Sequence, residues 1–149
     1  MVLRFALLAL AAVLSQRGAS SSEALSTDTP KPEPGPSCAS WSGTVSGNDP
    51  SVAIAGTLCE DAKGNVTGQF TWSSDRSGTN VRKVDGAWSS DHTSLTLRDG
   101  AIIDSHPKPG WRFCVVDQYD LTGSKDALTG RYHSSGCNDH AAMTLTRAN

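Results

Sequence analysis

Few side chains in this sequence have the type and spacing that chemistry demands. The four histidines are His92 beside Asp91, His106 in Ser105-His106-Pro107-Lys108-Pro109, His133, and His140 beside Asp139. His133, Asp139 and His140 offer ligands of the kind that hold zinc, or an acid–base pair for an enzyme. Their spacing matches no metal motif and leaves a coordination shell incomplete, so no metal or other cofactor is expected. Ser105 and Lys108 spell a Ser-x-x-Lys nucleophile, which works only from one helical face, and Pro107 and Pro109 forbid that helix. Glu60-Asp61 is a hydrophilic turn whose carboxylates serve solubility more simply than glycoside cleavage. No Gly-x-Ser-x-Gly elbow, phosphate-cradling loop or His-Glu-x-x-His occurs. The motifs lean away from an enzyme.

The aromatic residues say more. Trp41, Phe70, Trp72, Trp88, Trp111, Phe113, Tyr119 and Tyr132 share the phase of alternating apolar positions. There they either fill a core or ring the mouth of a ligand cavity. Asp117 shares the phase of Trp111, Phe113, Val115 and Tyr119. An inward carboxylate must be paired, protonated or near water, and a strand end or bulge explains it at least as well as a ligand. The expected ligand contacts are Asp117, Trp72, Trp88, Trp111, Tyr119 and Tyr132, for a small apolar or planar molecule.

Strands must position these side chains. Apolar residues alternate in Trp41–Val45, Val52–Leu58, Val66–Trp72, Val84–Trp88, Leu95–Leu97, Trp111–Tyr119, Leu128–Tyr132 and Ala141–Leu145. That period of two marks sheet with one buried face. Gly47-Asn48-Asp49-Pro50, Lys63-Gly64-Asn65, Asp75-Arg76-Ser77-Gly78, Arg98-Asp99-Gly100 and Gly123-Ser124 read as turns. The fold class is all-β, with about eight short antiparallel strands in an up-and-down meander closed into a barrel to remove its edges. A short echo runs through it: Val66-Thr67-Gly68-Gln69-Phe70, Leu128-Thr129-Gly130-Arg131-Tyr132 and, more weakly, Val84-Asp85-Gly86-Ala87-Trp88. Glycine two places before an aromatic lets a ring lie over bare backbone, or lets the strand bend.

The barrel occupies only part of the 149 residues. Arg4 followed by the apolar run Phe5–Leu14 and by small residues reads as a signal peptide over 1–24, cut after Ser20 or Ala24. The run is too short to span ~30 Å of hydrocarbon, and no later segment would span it. Residues 25–37 form a Pro-rich linker with prolines at 30, 32, 34 and 36, leaving 38–149 for the barrel. A net charge of −2 supplies no basic face for nucleic acid. Cys38, Cys59, Cys114 and Cys137 are all downstream of the export segment, where an even count reads as disulfides and a secreted or periplasmic location. In a meander, Cys38 and Cys59 fall at one end, while Cys114, opening strand six, and Cys137 fall at the other. The expected pairs are therefore Cys38–Cys59 and Cys114–Cys137. Asn65-Val66-Thr67 is a glycosylation sequon that matters only in a eukaryote.

Trp41-Ser42-Gly43-Thr44-Val45 and Leu128-Thr129-Gly130-Arg131-Tyr132-His133-Ser134 resemble the Gly-aromatic hairpins of the avidin and streptavidin family. More loosely, the pattern is similar to the lipocalin-like (calycin-type) barrels. The resemblance implies a barrel with an open mouth able to hold a small ligand; the residues that hold biotin in that family have no counterparts to align here. The function expected is thus a non-catalytic binding module for a small ligand or partner. Two alternatives accompany it: a protein-interaction module or protease inhibitor using the Pro-rich segment toward an extracytoplasmic protein, and an enzyme using Asp117 or His133, Asp139 and His140.

Overall fold

The computed structural model describes residues 34–47 and 51–148. The expected signal peptide and residues 25–33 of the linker lie outside the described residues. Eight strands follow in order: β1 (Ser37–Ser46), β2 (Val52–Glu60), β3 (Asn65–Ser74), β4 (Gly78–Trp88), β5 (Ser94–Pro107), β6 (Asp117–Gly123), β7 (Ala127–Ser134) and β8 (Asp139–Arg147). Each pairs antiparallel with the next, and β8 returns to β1, closing the barrel. Period-two sequence becomes period-two burial: on β3, Val66, Phe70 and Trp72 point inward while Thr67 and Gln69 face out. Closure satisfies the backbone donors and acceptors that an open sheet would leave at its edges.

The loops define two ends. The base carries the β2–β3, β4–β5 and β6–β7 connections; the mouth carries 75–77, 108–116 and 135–138. Cys38–Cys59 joins directly paired residues of β1 and β2 at the base, and Cys114–Cys137 ties two loops at the mouth. The closed loops of 21 and 23 residues each contribute about 3 kcal/mol in the chain-entropy model. Two structural disulfides indicate an oxidising environment.

The in-strand glycines have a more specific reason than a ring over bare backbone. A Cβ on Gly68, Gly86 or Gly130 would lie 1.9–2.0 Å from the carbonyl oxygen of Thr57, Thr96 or Asp120 on the neighbouring strand. Each of these glycines is in register with a large core residue: Leu58, Leu97 and Leu121 respectively. Neighbouring backbones therefore close in beside the bulky side chain. Gly56 meets a ring as well, with Phe70 Cδ1 at 2.8 Å from such a Cβ.

Two expectations are corrected on β5 and β6. Arg98-Asp99-Gly100 is not a turn, because β5 continues through it to Pro107. The pairing with β4 slips twice, leaving Gly100 and Ile103 without a partner opposite, so the glycine marks a bulge. Strand six does not begin at Trp111. Residues 111–116 make no ladder, Trp111 is 41% exposed, and Val116 sits at φ 68°, which no strand tolerates. Trp111 and Val115 thus leave the inner face, half-buried Phe113 belongs to a loop, and Cys114 lies in that loop too. The physical reason is the diverging end of β5: it pairs with β6 only over Ser94–Arg98, so nothing remains for 111–116 to pair with.

Candidate functional site

At the mouth end of three adjacent strands, one charged residue each turns inward. Arg82 on β4 stands two residues before Val84, Asp99 on β5 two after Leu97, and Asp117 on β6 two before Tyr119. All three are buried, with Arg82 at 3% and Asp117 at 1% exposure. The bulge at Gly100 directly follows Asp99, where the ladder can re-aim that side chain. Arg82 Nη1 donates to Asp99 Oδ2 at 2.7 Å and to Asp117 Oδ2, while its Nε donates to Asn80 Oδ1 at 2.6 Å. Asp99 further accepts the Asp117 backbone N–H (2.7 Å) and the Tyr119 hydroxyl (3.2 Å). The guanidinium also stacks 4.7 Å from the Trp72 ring centroid, a contact strengthened by desolvation.

Trp72, Tyr119 and Tyr132 surround this cluster, with ring centroids 5.1–6.1 Å apart. Above it opens a cavity of about 200 Å³. Arg82 and Asn80 form its floor, Trp72 and Tyr132 its wall, and Trp111 and Phe113 of the 108–116 loop its rim. Among the described residues, Trp72 Nε1, Asp117 Oδ1 and Ser134 Oγ are buried with no hydrogen-bond partner. Such atoms are costly to leave unmet, and native proteins usually meet them with water or ligand.

One guanidinium faces two carboxylates, and the charge balance shows in the protonation of Asp117. Burial pushes the Asp117 carboxyl above its ordinary value; Ser134 lies near enough to temper that rise without good hydrogen-bond geometry, Asp99 adds to it, and Arg82 and Tyr132 oppose it. Burial works against the Arg82 charge, yet the carboxylates of Asp99 and Asp117 outweigh it and the guanidinium stays charged. The Tyr119 and Tyr132 hydroxyls are pushed up, first by burial and then by the adjacent carboxylates, so both remain neutral donors.

A pH dependence follows from the raised Asp117. The folded state holds this proton more tightly than the unfolded chain, so its contribution is fully present below the unfolded value of about 4 and is lost as pH rises through the folded value. Asp117→Asn removes that loss. Urea unfolding of both proteins between pH 4 and 8 should show the variant gaining stability relative to the parent as pH rises. Parallel curves would contradict the raised carboxyl.

The residues expected to contact ligand divide into three groups. Trp72, Tyr132 and Trp111 line the mouth cavity. Asp117 and Tyr119 lie beneath it, bound into the Arg82 cluster. Trp88 lies at the opposite end, half-buried and packed at a tilt against His92, beside a base cavity of about 320 Å³. His92 Nε2 there meets Glu60 Oε1 at 2.7 Å. His133 and His140 are register partners on the exposed face, and Asp139 is at the mouth rim. Among the described residues no group of three or more His, Cys, Asp or Glu is placed to hold a metal. Ser105 and His106 are exposed on β5, with His106 Nε2 3.1 Å from Asp104.

Sequence reasoning missed Arg82, Asn80, Asp99 and Ser134. Their phase was available: Asn80 and Arg82 continue Val84-Gly86-Trp88 backwards, and Asp99 continues Leu95-Leu97 forwards. What hid them is that a charge at the end of an apolar alternation usually marks the strand leaving the core. The chain matches no protein family model, and no curated protein is significantly similar to it.

Proposed function

We propose that the protein is an exported, non-catalytic binding module that holds a small ligand in the mouth of its barrel. The observation that carries this reading is the buried indole N–H of Trp72, without a hydrogen-bond partner among the described residues, in the wall of an aromatic-lined cavity. A planar body would lie against the wall formed by Trp72 and Tyr132, beneath the Trp111 rim. The head of such a ligand offers an acceptor to Trp72 Nε1, completing a bond that the described residues leave unmade. Arg82, Asp99 and Asn80 act as fixed supports, since their hydrogen bonds are already committed to one another. Secretion or release to the periplasm, and kinship of architecture with avidin-like and lipocalin-like barrels, belong to the same proposal.

Native mass spectrometry of the protein purified from its own source tests it. The expected result is a small molecule retained by the parent and held at least about tenfold more weakly by Trp72→Phe, which keeps an aromatic face but loses the indole N–H and part of the ring surface. Protein that carries no ligand from its source, or a Trp72→Phe variant that retains the ligand equally well, would overturn the reading.

A further inference from the structure

We infer that Cys114–Cys137 is the clasp of a lid, residues 108–116, and that a dithiol reductant opens the mouth by releasing it while the barrel stays folded. The inference rests on the mouth being the binding site. The lid supplies Trp111 and Phe113 to the cavity rim, yet contributes nothing to the ladder that closes the barrel. Its backbone bonds lie near its first residues: Lys108 N–H to Ser77 O at 3.0 Å, and Trp111 N–H to Lys108 O at 3.0 Å. From Trp111 onward the lid is tied by the disulfide, the stacking of Arg76 on Trp111 at 5.3 Å, and a hydrogen bond from Ser135 Oγ to Val116 O at 3.4 Å. Of these the covalent bond is the strong tether.

Both stems of the clasp carry left-handed backbone, strained at Val116 but ordinary at Asn138. Val116, two residues beyond Cys114, has φ 68°, and Asn138, next to Cys137, has φ 51°. A β-branched residue in the left-handed region persists only when its surroundings enforce it. At the other stem Gly110, at φ 81° with nothing within 4 Å of where a Cβ would be, has the freedom of a hinge. The base disulfide offers a contrast within the same chain. It joins residues already paired in the β1–β2 ladder, so breaking it frees no loop.

The chemistry balances simply. Cys137 is exposed and Cys114 half-buried, so a dithiol's thiolate reaches the bond. It attacks one sulfur, forming a mixed disulfide; the dithiol's second thiol then displaces the protein. Two electrons and two protons pass to Cys114 and Cys137, which become thiols, and the dithiol leaves as its cyclic disulfide.

Hydrogen exchange on the full mature protein tests the clasp with dithiothreitol as the probe, alongside C114S/C137S and C38S/C59S variants. The Lys108 and Trp111 amides, the hydrogen-bonded donors of the lid, should exchange at least about tenfold faster in the reduced protein and in C114S/C137S, while β6, β7 and β8 keep their protection. The C38S/C59S variant should leave 108–116 unchanged. Incorporated 5-fluorotryptophan, with the Trp111 resonance assigned from W111F, should show that resonance alone narrowing on reduction. Unchanged exchange in 108–116, or loss of protection by the lid and barrel together, would overturn the clasp. A lid that opens in protein carrying no source ligand would uphold the clasp and count only against the binding reading.

Discussion

Arg82→Met is expected to destabilise the barrel by about 3–5 kcal/mol at neutral pH, the cost of stranding buried charge. The arginine is the counter-charge of both Asp99 and Asp117, and it also stacks on Trp72. Methionine replaces the apolar stem but leaves two carboxylates facing each other out of water. Those carboxyls can fold only by taking up protons, so the deficit should shrink as pH falls toward 4. The triple variant R82M/D99N/D117N separates charge from shape. It removes the stranded anions, while the amide oxygen introduced by D99N can still accept the backbone N–H of residue 117, and it should recover most of the lost stability. Equilibrium urea unfolding measures all three proteins. An R82M protein within about 1 kcal/mol of the parent would mean that the cluster is not the electrostatic unit its geometry implies.

Gly130→Ala is expected to cost about 3 kcal/mol, at the upper end of overpacking effects. The added methyl would sit 2.0 Å from Asp120 O and 2.8 Å from Leu121 Cα, both backbone atoms of β6 that cannot turn aside. Relief requires β6 and β7 to separate, and those strands carry Asp117, Tyr119, Tyr132 and Ser134. The damage should therefore reach the mouth cluster as well as overall stability. Gly100→Ala is the matched control, since a Cβ there meets nothing nearer than Asp85 Oδ1 at 3.8 Å. Its effect should stay within about 0.5 kcal/mol. Thermal unfolding of the pair decides the matter; equal effects would refute close strand approach as the reason for Gly130.

Much of the fold is legible from alternation alone, because a barrel with a packed interior has to bury every second side chain. Where alternation misleads is instructive. Trp111-Arg112-Phe113-Cys114-Val115 alternates as well as any strand, but a strand also needs a neighbour with free donors and acceptors. The β5 bulges withdraw that neighbour. The mouth cluster fails for the opposite reason. Arg82 and Asp99 lie 17 residues apart and Asp117 a further 18, and nothing local says that three strand ends converge.

By itself the sequence determined the strand periodicity, the meander order and the disulfide pairing, since each follows from local pattern plus the geometry of consecutive antiparallel hairpins. It also marked Asp117 as an inward carboxylate in need of a partner. Only the tertiary structure decided what that partner is, which aromatics share its end of the barrel, and that Trp111 belongs to a rim rather than a core. These are questions of register and of which strand ends meet. They depend on two bulges and on close backbone approach at glycines, features whose energy comes from contacts distant in the chain.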